Sequence, residues 1–145
     1  MIIDDNRKAV GVCVAKTGST TLRRVFNHLP PDPPPEIYHM FLRDILINHP
    51  RTKDYFKFAF VRNPYTRIHS VYSDFKHSNG GNSHVWATEL KECTSFEDFI
   101  MGMETRPYRH YMHLQPQTEY LRIGDSINLD FLGKYEEYET CCRAL

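Results

Sequence analysis

Two short apolar runs, each breaking off into a polar turn ahead of a helical pattern, limit what this chain can become. Ala9 to Ala15 is almost unbroken apolar sequence, and Lys57 to Val61 reads KFAFV. Runs this short and this apolar suit strands covered on both faces, as in parallel sheets. The first run is followed by Lys16, Thr17, Gly18, Ser19, Thr20 and Thr21. Then Leu22, Val25, Phe26 and Leu29 recur at i, i+3, i+4, i+7, one face of a helix. The second run is followed by Arg62, then by Asn63 and Pro64, a good N-cap and first helical residue. Ile68, Val71, Tyr72 and Phe75 then repeat the helical spacing. Two strand–turn–helix units predict an α/β chain whose two strong strands are parallel neighbours.

The rest of the chain fits around these units. LPPDPPPE stops regular structure, because proline continues neither a helix nor a central strand. It reads as a stiff connector. Tyr38, Phe41, Leu42 and Ile45 give another helical stripe. HSNGGNSH is a loop, and RPYRHYMHLQPQ is expected to be irregular. Thr94-x-x-Glu97 and Ser95-x-x-Asp98 both offer capping boxes ahead of Phe96, Phe99, Ile100 and Met103. Asn128 to Glu136 is a weaker third strand. A length of 145 residues suits one domain, residues 1–145. Lys plus Arg and Asp plus Glu are 18 each, so the formal charge is zero. That argues against a general nucleic-acid binder and requires any anion site to be local. No apolar run approaches the length of a membrane span, and no signal-peptide pattern is visible. The cytoplasm is the expected compartment. Cys13, Cys93, Cys141 and Cys142 make no C-x-x-C pair, so neither a zinc site nor a disulfide framework is expected. Cys13 reads as a small core residue.

Ligands of such sheets bind beyond the carboxyl ends of the strands, where both polar turns fall. In the first, Gly18 lets the backbone approach a ligand. The amides that open the helix lack partners within it and favour an anion. Ser19, Thr20 and Thr21 add hydroxyls, and Lys16 a mobile positive charge. The plainer alternative is an ordinary capped helix with Lys16 in solvent. The pattern is not a Walker A loop, whose lysine follows the second glycine. In the second turn, Arg62 supplies a planar fork suited to phosphate, and Ser70 lies off the apolar stripe. A strand-end ion pair and a solvated serine are the plainer alternatives. Arg67 reads as a surface charge.

Lys16-Thr17-Gly18-Ser19-Thr20 after an apolar strand, with Phe60-Val61-Arg62-Asn63-Pro64-Tyr65-x-Arg67-x-x-Ser70-x-Tyr72, closely resembles the carbohydrate sulfotransferases of the Golgi type. SFEDFI, His113-x-x-Pro116-Gln117-x-x-x-Leu121 and DFLGKYE extend the resemblance over most of the chain. It implies a P-loop-like three-layer α/β sandwich and a 3′-phosphoadenosine 5′-phosphosulfate (PAPS) donor, with no metal. The donor's 5′-phosphosulfate maps to Lys16 through Thr21, its 3′-phosphate to Arg62 and Ser70. The acceptor is a hydroxyl, expected on a carbohydrate. Two departures stand out. Ala15 replaces the usual proline before the lysine, and relatives continue well beyond the third strand, so the domain is expected to be incomplete at its C-terminal end.

Sulfuryl transfer requires a base for the acceptor's proton, and histidine titrates in the useful range. His39, expected to begin a helix in YHMFLRDI, is the first choice, because relatives carry a histidine in that interval; His113 is the second. Lys16 would steady the leaving phosphate. His110 and His113 lack further ligands for zinc, and His28, His49, His69, His77 and His84 read as solvated. Two other functions compete: a non-catalytic nucleotide or polyanion binder, and an atypical nucleotide kinase. The kinase lacks a Walker lysine and a magnesium carboxylate at a strand end.

Overall fold

The computed structural model describes residues 1–26, 38–77, 89–90 and 92–145. They form two compact units, Met1–Arg62 with Pro116–Leu145, and Asn63–Gln115. Among the described residues the chain runs β1 (Ile2–Asp4), β2 (Ala9–Val12), α1 (Ser19–Val25), α2 (Leu42–Asn48) and β3 (Phe56–Val61). It continues through α3 (Pro64–His77), α4 (Phe96–Gly102) and α5 (Gln117–Leu121). Then come β4 (Arg122–Ile123), β5 (Ser126–Ile127), β6 (Phe131–Lys134) and α6 (Tyr138–Ala144).

The first unit is built on a four-stranded sheet in the order β1-β2-β3-β6. β2 and β3 are parallel neighbours, β3 and β6 are parallel, and β1 runs antiparallel to β2. This is the mostly parallel α/β sheet that the two apolar runs predict, with the third strand in place. Strand alternation divides the core. Val10, Val12, Val14 and Ala59 face Leu42 and Ile45 of α2 and Tyr120 and Leu121 of α5. Ala9, Cys13, Phe58 and Phe60 face Leu22 of α1, with Tyr138 and Cys141 of α6 packed against them. Burying each of those two phenylalanines contributes about 1.5–3 kcal/mol. Their rings use glycine gaps on the neighbouring strands. A Cβ at Gly11 would lie 2.6 Å from the Phe58 ring, and one at Gly133 2.7 Å from the Phe60 ring.

Several boundaries differ from the sequence pattern. The ladder of β2 ends at Val12, although Cys13, Val14 and Ala15 stay buried. Helix α1 ends at Val25, which is 69% exposed and lies outside the core stripe. Leu29 and the proline-rich connector lie outside the described residues, as does most of the HSNGGNSH stretch. His39 precedes α2 instead of beginning it, because Phe41 is extended (φ −68, ψ 149) and the helix starts at Leu42.

In the second unit, Val71 and Phe75 of α3 are buried with Phe99, Tyr108, Tyr111 and Leu114. Of the two possible capping boxes, Ser95 supplies the N-cap, but the return bond goes to Thr94 and not to Ser95. Ser95 Oγ accepts from the Asp98 amide at 3.1 Å, while the Asp98 carboxylate accepts from the Thr94 amide at 2.9 Å. The stretch expected to be irregular contains short 3-10 turns at Pro107–His110 and Met112–Leu114. Arg67 is not a surface charge. It is 5% exposed, and its guanidinium donates to the carbonyls of His113 (2.9 Å) and Gln115 (2.8 Å). Those contacts tie α3 to a segment far away in sequence, which helical spacing cannot reveal.

Candidate active site

The turn after β2 is shaped by two left-handed residues, Lys16 (φ 64) and Gly18 (φ 80), with every peptide bond trans. Gly18 is the N-cap of α1, and no side chain caps that helix. The amides of Thr21 and Leu22 turn back to the Gly18 carbonyl. Among the described residues, the amides of Ser19 and Thr20 have no hydrogen-bond acceptor.

The turn's carbonyls are held by side chains from elsewhere in the unit. Arg62 Nη1 donates to the Lys16 carbonyl at 3.3 Å. The Tyr138 hydroxyl donates to the Gly18 carbonyl at 3.0 Å. Burial pushes the Tyr138 phenol's pKa up, so at neutral pH it is a donor. In a trans peptide the N–H points opposite the C=O. Pinning these two carbonyls therefore aims the amides of Thr17 and Ser19 the other way. The Thr17 hydroxyl is internal, donating to the Val14 carbonyl at 2.9 Å. Ser19 is buried, whereas Thr20 and Thr21 are exposed. Gly18 is required on two counts: its φ disfavours any side chain, and a Cβ there would sit 2.8 Å from the Tyr138 ring.

Arg62 is held on several sides. Its amide donates to Gln117 Oε1 at 2.9 Å, and Gln117 Nε2 returns a bond to its carbonyl at 2.7 Å. Its guanidinium lies 4.5 Å from the centre of the Tyr135 ring. Ser70 is half-buried on α3 in the second unit, and His113 is half-buried in the segment after it.

His39 is brought beside the first turn. It is 8% exposed, and its Nδ1 lies 2.7 Å from the Cys13 carbonyl. A carbonyl only accepts, so Nδ1 carries the hydrogen and the neutral ring's lone pair sits on Nε2. Burial pushes the pKa of His39 down to about 4; the Cys13 bond opposes this, and the positive charges of the N-terminus, Arg23 and Lys16 reinforce it. The ring is therefore neutral at physiological pH, with its basic nitrogen defined.

Sequence reading assigned no role to Tyr138, Tyr135 or Gln117. Gln117 sits in a motif that carries the resemblance, so a signal existed without an assignment. Nothing near Tyr138 marks it. An apolar cavity of about 220 Å³ also adjoins the turn, lined by Thr21, Leu22, Phe26, Tyr138 and Cys142 among others. Among the described residues, no group of His, Cys, Asp or Glu side chains could hold a metal ion, and no helix is long and apolar enough to cross a membrane.

A family model described as the sulfotransferase family matches residues 1–145, the whole of this sequence. The chain belongs to the sulfotransferase family, and membership supports sulfotransferase activity in general. Searches of curated proteins and of solved structures gave no match.

Proposed function

We propose that this protein moves a sulfuryl group from PAPS to a hydroxyl of a carbohydrate. The observation that carries the reading is the turn at residues 16–20, with its carbonyls pinned and its amides aimed away from them, next to a neutral His39. Amides fixed in advance stabilise developing negative charge without reorganising during the reaction. The residues fit an anionic donor. Two turn amides lack acceptors, and Lys16 adds positive charge. When bound, PAPS supplies an activated S–O bond whose leaving group is a phosphate.

The chain's own groups have separate tasks. Lys16 and the amides of Thr17, Ser19 and Thr20 steady the phosphate as the S–O bond breaks. His39 Nε2 takes the proton of the acceptor hydroxyl as its oxygen bonds to sulfur. Arg62 steers the turn through the Lys16 carbonyl, and on the resemblance alone Arg62 and Ser70 are assigned to the 3′-phosphate. Thr21 borders the apolar cavity, which suits a nucleoside.

Calorimetry tests the donor first. 3′-Phosphoadenosine 5′-phosphate (PAP) should bind more tightly than AMP, and Lys16→Ala should reduce transfer more than PAP binding. Equal affinity for PAP and AMP would remove the 3′-phosphate assignment. Tight PAP binding without transfer of labelled sulfate to any glycan would make the chain a nucleotide binder instead.

A further inference from the structure

Arg23 has no role in the transfer described so far, yet it is a buried cation of the first unit. It lies one turn into α1 and is 7% exposed. Its Nε reaches its own helix at the Ser19 carbonyl (3.4 Å), and Nη2 reaches Thr20 Oγ1 (3.5 Å). Both bonds are long. The guanidinium sits 3.7 Å from the centre of the Tyr38 ring. Among the described residues no carboxylate pairs with it, and its buried Nη1 has no hydrogen-bond partner. Burying a cation with an unfilled donor, and with no counter-charge among the described residues, carries a desolvation cost. A solvated lysine or glutamine would serve a helix of this kind better.

Position explains the charge. Helical side chains lean toward the N-terminus of their helix. The guanidinium accordingly lies back along α1 toward Ser19 and Thr20, in the turn. It is also close enough to His39 to act on it electrostatically. We infer that Arg23 is an oxyanion contact of the reaction site, its guanidinium fork receiving a negatively charged oxygen beside His39. This rests on the proposed transfer reaction. The oxygen has two possible sources with the same chemistry: the donor's sulfuryl group, or an acidic group on the acceptor.

The test compares PAPS with PAP, which lacks the sulfuryl group, by calorimetry on the wild type, Arg23→Met and Arg23→Lys. If the sulfuryl is the source, Arg23→Met keeps PAP affinity within about threefold and loses about tenfold or more for PAPS. Arg23→Lys then recovers part of that loss. If the acceptor is the source, the preference for PAPS over PAP survives. KM then rises about tenfold for an acidic saccharide and stays unchanged for a neutral one. Either result supports the contact. Wild-type values throughout would overturn it, as would equal losses for PAP, PAPS and thermal midpoint, which would mark a packing role. If Arg23→Met does not fold, Arg23→Lys decides by the same comparison, since lysine keeps the charge without the fork. If the wild type binds neither nucleotide, the donor assignment fails independently. Inorganic sulfate then becomes the probe. Sulfate raising the melting temperature of the wild type but not of the Arg23 variant supports the contact, and equal shifts overturn it.

Discussion

The two strand-to-helix turns begin alike in sequence and end differently in structure. After β3, Asn63 closes its own helix: its Oδ1 accepts from the amides of Tyr65 (3.0 Å) and Thr66 (3.4 Å). Pro64 then brings a residue with no amide to offer. After β2, Gly18 supplies no capping side chain, and its carbonyl is pinned from outside. The second turn uses its helix-opening amides for stability, whereas the first leaves two of them without acceptors. An anion at the first turn can be met by backbone; at the second it must be met by side chains. A strand followed by a polar turn and a helix is therefore not enough to mark an anion site. The capping residue decides.

Substitutions can break or sharpen that contrast. The largest effect is expected beside the first turn. His39→Gln should lower transfer about a hundredfold to ten-thousandfold while leaving PAP affinity and the fold intact, the range for losing a general base. In the wild type the rate should rise with pH near pH 4 to 5 and be flat from 6 to 8, because His39 loses its proton near pH 4. A pH–rate profile of both proteins checks this. A variant with wild-type rates would pass the role to His113.

The next effect is on stability against pH. From its usual value of 6.5 down to about 4, the unfolded chain holds a proton on residue 39 that the folded chain refuses. Stability should therefore fall as pH drops through that window, by up to about 3 kcal/mol. Above the window His39 adds no slope. Melting curves from pH 7 to 4 should show His39→Gln losing this part of the slope; identical slopes would mean that residue 39 is not held neutral.

Gly18→Ala should cost about 1–3 kcal/mol from its left-handed φ, with a further loss from the Tyr138 ring. It should also weaken PAP binding, read by denaturant melts and calorimetry together. The smallest effect is at the opposite turn. Asn63→Ala should cost about 1 kcal/mol, the worth of an N-cap, and leave PAP affinity unchanged. A loss of nucleotide affinity in Asn63→Ala would erase the distinction between the turns.

Local chemistry made much of this legible in sequence. The apolar runs, the glycine in the first turn, the Asn63–Pro64 cap and the Ser95 cap all act within a few residues, and each appears in the structure. The long-range features did not show. Arg67 looked solvated because nothing near it marks the His113 and Gln115 carbonyls as its partners. Strand β1 is only three residues long, too short for a periodic pattern. Helix α6 has no buried residue and so no clear apolar stripe. His39 was picked out by resemblance, but its tautomer and its neutral state depend on Cys13, 26 residues away.

The hydroxyl of Tyr138 and the carbonyl it holds are 120 residues apart. The turn's sequence is local, but its closure depends on a residue far along the chain. A growing chain would carry Lys16 to Thr21 for more than a hundred further residues without one of the two clamps that shape them. The geometry that could recognise a donor is thus completed only when the sheet has gained β6 and α6 has docked. Shaping of the first turn and docking of α6 are therefore coupled.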